Sequence, residues 1–157
     1  MMVKDPARLA RYLKRKKKAL LLTGALCDEI AFDGTRLLDL AADIAKKLGV
    51  PVAATGNTPL GLKERGVEQV KKMWLAEVVN YLRYPWQDSV SPQKPDLLIF
   101  IGYSPEVARR FVTAVTDADT VVLGNTYIEE ATCSLPDANF AGWRDSLSKL
   151  AEALGSA

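Results

Sequence analysis

The stretch Asp96-Leu97-Leu98-Ile99-Phe100-Ile101-Gly102-Tyr103-Ser104-Pro105 decides the fold. The unbroken apolar run from Leu97 to Ile101, preceded by Pro95, is too short for a helix and reads as a strand buried on both faces. Glycine next permits a sharp turn, and Ser104 before Pro105 reads as a helix N-cap with proline at the first helical position. A doubly buried strand passing through a short glycine turn into a helix is the repeating unit of a parallel α/β sheet.

Outward from it the unit recurs. Apolar runs at residues 19–23, 50–54 and 120–123 lead into Thr23-Gly24-Ala25, Thr55-Gly56-Asn57 and Gly124-Asn125-Thr126. Between them, residues 35–48 place Leu37, Leu38, Ala41, Ile44, Ala45 and Leu48 on one helical face, closed by Gly49 and Pro51. Residues 67–83 carry Val70, Trp74, Val78 and Tyr81 at helical spacing, and helices are also expected over 105–115 and 141–153. A short fifth strand at 131–135 completes the pattern. The expected fold is α/β: one domain over 1–157, a doubly wound parallel sheet of about five strands in the order 2-1-3-4-5, with helices on both faces. Pro85, Pro92 and Pro95 bar regular structure from the segment after residue 83, which reads as a loop presenting an exposed Trp86.

With 157 residues, 48% hydrophobic and 25% charged, the composition is that of a globular domain. Histidine is absent, which removes Ser-His-Asp and Cys-His nucleophile schemes and the HExxH zinc site. Cys27 and Cys133 stand too far apart to form a CxxC pair, and each reads as a small core side chain.

The net charge of +2 hides an uneven distribution. Residues 1–18 hold eight of the 21 basic residues and one of the 19 acids, Asp5, leaving 13 bases against 18 acids elsewhere. Asp5-Pro6 with Leu9, Tyr12 and Leu13 predicts an amphipathic N-terminal helix whose cations gather at its C-terminal end, where they complement the helix dipole. The plain reading of Lys14 to Lys18 is a solvated helix end. A docking surface for an acidic protein and a nucleic-acid or localisation signal are the alternatives. No apolar run approaches the ~18 residues of a membrane span. The basic head before residues 19–22 imitates a signal peptide, but Asp28, Glu29 and Asp33 follow and no small-residue cleavage site closes the run. The expectation is a cytoplasmic protein with neither a nucleic-acid nor a membrane partner.

In an open parallel sheet, ligands bind beyond the carboxyl ends of the strands where the winding reverses. The candidate cofactor-binding residues are therefore Gly24, Ala25, Gly56, Asn57, Gly102, Tyr103 and Ser104. Any dinucleotide is expected to lay its phosphates against the Gly24 and Gly102 turns, so that Gly102→Val abolishes binding and leaves the fold intact. Neither GxGxxG nor a Walker A sequence occurs, and glycine also serves tight turns in sheets that bind nothing. No catalytic residue and no metal ligand set is marked.

The segments Ala19-Leu20-Leu21-Leu22-Thr23-Gly24, Gly49-Val50-Pro51-Val52-Ala53-Ala54-Thr55-Gly56 and Pro95 to Gly102 together resemble the epsilon subunit of the archaeal acetyl-CoA decarbonylase/synthase complex. The resemblance covers about residues 19–150. It is carried by the free-standing domain, the Ala54-Thr55-Gly56 turn, and the helix leading into Tyr84-Pro85-Trp86. Asn57 departs from it, because family members often carry histidine after that Thr-Gly. The resemblance implies a Rossmann-like sheet similar to the central domain of thiamine-diphosphate enzymes. It further implies a non-catalytic subunit that binds the large (alpha) carbon monoxide dehydrogenase subunit and passes electrons between it and flavin. The residues themselves fix no cofactor, and FAD is the one the resemblance allows. The rival reading is a stand-alone dinucleotide- or flavin-binding protein, against which stands the lack of an acid at Ala53-Ala54-Thr55 to hold an adenosine ribose. As a subunit, the isolated chain is expected to form homo-oligomers through a rim of Trp74, Tyr81, Tyr84 and Trp86, with Trp86 as the partner anchor and Lys16, Lys17 and Lys18 providing attraction over distance.

Overall fold

The computed structural model describes residues 1–83, 86, 91 and 93–155. Along the chain run α1 (Pro6–Arg15), β1 (Ala19–Thr23), α2 (Leu26–Glu29), β2 (Ala31–Phe32), β3 (Thr35–Arg36), α3 (Leu37–Leu48), β4 (Val52–Ala54) and α4 (Thr58–Glu64). There follow β5 (Val70–Lys72), α5 (Leu75–Leu82), β6 (Leu97–Ile101), α6 (Pro105–Ala114), β7 (Asp119–Val122), β8 (Cys133–Ser134) and α7 (Phe140–Gly155).

Strands β1 and β6 pair in parallel from Ala19 opposite Leu97 to Thr23 opposite Ile101, and every residue of both is buried. That double burial is what the continuous apolar runs encode, because each strand has a neighbour on both sides and helices on both faces. The period of two sorts their side chains: Leu21, Leu97 and Ile99 join the core under α1, α3 and α7, while Leu20, Leu22, Leu98 and Phe100 join the core under α5 and α6. The sheet order is β5-β4-β1-β6-β7-β8 and all its pairs are parallel. The chain winds outward through β1, β4 and β5, then crosses back to β6, so the reversal lies between β1 and β6. This is the expected order with a sixth strand added.

The added strand is where the helical spacing over 67–83 misleads. Val70 pairs with Val52 and Lys72 with Ala54, making β5 an edge strand, and the helix begins only at Leu75. A β-branched valine beside an unsatisfied edge of β4 gains more from ladder hydrogen bonds than from one more helical turn. Lys71 and Lys72 are exposed on this edge and discourage another strand from adding there. Likewise the helix expected over 35–48 begins at Leu37, since Thr35 and Arg36 pair with Phe32 and Ala31 in a hairpin turned by Gly34.

Helix α1 is capped by Asp5, whose carboxylate accepts from the Ala7 N–H at 3.0 Å, and it is tied to the body at its other end. The Tyr12 hydroxyl (3.0 Å) and Lys16 Nζ (2.8 Å) both donate to Asp119 Oδ2. Lys16 is thus occupied within the fold, which corrects its expected part in attracting a partner. The Lys16 hydrogen bond holds the Asp119 carboxyl below its ordinary value. A depressed carboxyl pKa contributes stability above its unfolded value near ~4 and loses it as pH falls through the folded one. Because the pair is partly exposed, Asp119→Asn is expected to cost only about 0.5 kcal/mol at pH 7. In urea titrations that difference is expected to shrink steadily as pH falls below the ordinary carboxyl range, and a difference that stays constant into acid would mean the ion pair is not its source.

Trp86 is half-buried, not exposed. Its Nε1–H donates to Ser91 O at 2.9 Å, and its ring meets Tyr81 edge-on at 6.3 Å between centroids. Tyr84, placed in the same rim from the sequence, lies outside the described residues. Among the described residues no helix is long and apolar enough to cross a membrane, and no group of acids and cysteines is disposed to hold a metal.

Candidate functional site

At the reversal the two glycine turns are stitched to each other. The Gly24 N–H donates to Ile101 O (2.9 Å), Leu26 N–H to Gly102 O (3.1 Å) and Cys27 N–H to Gly24 O (3.0 Å). A Cβ on Gly24 would fall onto the Gly102 carbonyl group, 2.7 Å from its carbon and nearer still to its oxygen. Gly102, at φ +87°, would drive a Cβ into Cys27 Sγ. Both positions are glycine because the turns press on one another, and these three amides have partners within the protein. Nor does α6 offer a free cradle: Ser104 Oγ accepts the Val107 N–H, Pro105 has no N–H, and Glu106 sets a carboxylate in the first turn. The packing of the two turns therefore accounts for both glycines without a bound phosphate. This corrects the expected separability of Gly102→Val, which must disturb the fold itself.

What opens beside the stitched turns is an apolar cavity of about 430 Å³. Ala25, Gly102, Tyr103 and Ser104 line it, as do Thr55, Trp74, Leu75, Val107 and Phe111. Gly24 and Gly56 do not line it; a Cβ built on Gly56 (φ +67°) would come into ordinary contact with the Ala25 methyl, at 3.6 Å. Asn57 is exposed and its side chain caps nothing. Sequence reasoning missed Thr55, Val107 and Phe111 as wall residues, because the apolar stripe of α6 reads as pure core. Trp74, named from the sequence in an exposed rim but counted inside a helix, proves to be the N-cap of α5, 63% exposed over the cavity mouth, with its backbone N–H donating to Glu77 Oε1 at 3.2 Å.

The polar groups here are spoken for. Thr55 Oγ1 donates to Met73 O (3.3 Å), and Thr58 Oγ1 donates to Thr55 O (2.6 Å) while standing 3.1 Å from Thr23 Oγ1. Burial raises the Tyr103 phenol, partly offset by the hydrogen bond with Thr55, so it stays neutral at physiological pH. Burial likewise pushes the Cys27 thiol up, and its Sγ donates weakly to Ile101 O at 3.5 Å, which leaves no nucleophilic thiolate. The arrangement can grip an apolar or aromatic group. It presents no acid, base or nucleophile poised for bond-making.

Comparisons with known proteins agree in direction. The epsilon 1 subunit of the acetyl-CoA decarbonylase/synthase complex of Archaeoglobus fulgidus is 32% identical over 114 residues, 70% of this chain and 58% of that one. The corresponding subunit of Methanosarcina barkeri is 27% identical over 155 residues, 96% of this chain and 87% of that one. The epsilon subunit of Methanothrix soehngenii is 30% identical over 101 residues, 62% of this chain and half of that one. The alignments thus span only half to three-fifths of the first and third of these relatives. The family model described as CO dehydrogenase beta subunit/acetyl-CoA synthase epsilon subunit matches residues 1–154, and the chain belongs to that family.

Proposed function

We propose that this chain is a non-catalytic accessory subunit that binds the carbon monoxide dehydrogenase large (alpha) subunit of an acetyl-CoA decarbonylase/synthase complex through the aromatic mouth at the carboxyl ends of its sheet. The observation that carries the reading is Trp74, a large apolar side chain held in solvent by a helix cap, over a cavity walled by Tyr103 and Phe111. An exposed aromatic beside a concave apolar surface is the form that interface anchors take. Family membership supports a place among the subunits of such a complex, and the large subunit is the partner proposed. In isolation the same mouth is expected to be covered by a second copy.

The flavin part of the expectation draws no support from Gly24 and Gly102, whose missing side chains are accounted for by the packing of the two turns. The stand-alone dinucleotide reading loses the same support. We therefore derive no electron-transfer step through this chain.

Trp74→Ala is expected to weaken binding to the carbon monoxide dehydrogenase subunit by about 30-fold, mostly through faster dissociation, and to reduce self-association in sedimentation. The substitution is at an exposed cap, so the thermal midpoint should move little. Wild-type dissociation kinetics for this variant would place the contact on another face.

A further inference from the structure

The cavity at the strand ends does not stop there. It continues into a second apolar hollow of about 570 Å³ between α5 and α6, the two sharing Ala76 and Phe111. Both helices leave the carboxyl ends of parallel strands, so they run side by side in the same direction. The groove between them begins at Trp74 and ends near Arg83 and Ala114. From Trp74 to Arg83 is about 14 Å at roughly 1.5 Å per residue, enough for about two and a half helical turns. Small residues at Ala76 and Ala114 admit a close backbone, and half-buried Phe111 forms the floor.

Charge marks one end. Arg83 and Arg110 line the far hollow, both exposed, and neither has an ion-pair partner among the described residues, whereas neighbouring Arg109 is engaged with Glu130 at 3.1 Å. Glu77, the acid in the groove, is already committed to the Trp74 N–H. The groove is therefore apolar at the mouth and cationic at the far end. The wall helices also finish at that end, where their terminal carbonyls favour the positive N-terminus of an opposing helix.

We propose that this groove seats an amphipathic helix of the large partner subunit, packed antiparallel to α5 and α6, with its apolar face on Trp74, Ala76 and Phe111 and the carboxylates of its first turn against Arg83 and Arg110. The inference rests on the subunit reading above. A helix suits the site better than a strand, because the walls are helices with internally satisfied backbones, and helices pack by setting ridges into such grooves.

The test compares two double charge reversals of equal size in the full-length chain. Arg83→Glu with Arg110→Glu is expected to weaken binding to the purified carbon monoxide dehydrogenase subunit by at least about 30-fold and to flatten its salt dependence. Arg8→Glu with Arg11→Glu, on α1 across the sheet, is expected to change it by less than about threefold, as is the conservative Arg83→Lys with Arg110→Lys. Hydrogen exchange in the complex should then show one helical segment of the large subunit, acidic in its first turn, that loses protection with the groove variant alone. Equal losses from both reversals, or a protected segment that is extended or lacks carboxylates, would overturn the groove while leaving the subunit reading standing. A wild-type chain that does not bind the large subunit at all would overturn both.

Discussion

Gly24→Ala is expected to remove about 3 kcal/mol or more of folding stability, a large share of the roughly 5–15 kcal/mol a domain of this kind possesses. The new methyl group would meet the Gly102 carbonyl and, at 2.7 Å, the Tyr103 ring. Backbone cannot yield as a flexible side chain does. Moving Gly102 away breaks its hydrogen bond from Leu26 and the one from Gly24 to Ile101, which together clamp β1 to β6 at the centre of the sheet. Gly34→Ala is the opposite case: its φ of +78° is unfavourable to alanine, as the Gly24 backbone is not, but nothing lies within 4 Å, so only about 1 kcal/mol of backbone strain is expected. Urea denaturation midpoints of the two variants measure the difference. If Gly24→Ala unfolds no earlier than Gly34→Ala, the turns do not press on each other as described, and a phosphate seat between them becomes admissible again.

Trp143→Ala should be comparably severe, costing about 4 kcal/mol. This indole, on α7, is 3% exposed, donates from Nε1 to Leu123 O at 3.1 Å, and packs edge-on against Phe32 with ring centroids 5.6 Å apart. It therefore joins three things: the C-terminal helix, the end of β7 and the β2–β3 hairpin. Trp143→Phe keeps most of the volume but leaves the Leu123 carbonyl without its donor, for an expected loss of about 1–2 kcal/mol. Because α7 covers the face of the sheet away from Trp74, the folded fraction of either variant should bind the large subunit with wild-type affinity. A selective loss of that affinity would mean that α7 belongs to the interface.

The parts of this architecture legible in the sequence are those where local pattern and tertiary demand coincide. Continuous apolar runs at β1 and β6 mean burial on both faces, Ser104-Pro105 means a helix start, and the alternation of strands with helices fixes the order around β1. Legibility failed where one pattern serves two structures. Val70, Trp74 and Val78 have helical spacing, yet the first sits in an edge strand because β4 has an open side, and the second is left outside the helix. Trp86 lies among prolines that forbid regular structure, but irregular backbone still buries a ring when Ser91 supplies an acceptor for its N–H. The glycines were the hardest to read. A missing side chain makes room equally for a phosphate or for another turn of the same chain, and only the position of the Gly102 carbonyl distinguishes the two.

The β8 edge of the sheet has its own consequence. Val3 N–H donates to Ser134 O and Ser134 N–H to Met1 O, each at 2.9 Å, so the opening residues of the chain lie as a stub of strand along the strand that forms last in sequence. Closure over so long a loop adds little to the entropic cost, which grows only with the logarithm of length, but it places the contact late in time. Residues 1–3 are made long before Ser134, so on a ribosome this stub has no β8 to pair with until residues 133–134 follow. Until then the flank of β7 is open, and the nascent protein's exposure to strand-mediated misassembly is concentrated in the interval before residues 133–134 arrive, with α7 and α1 still to dock.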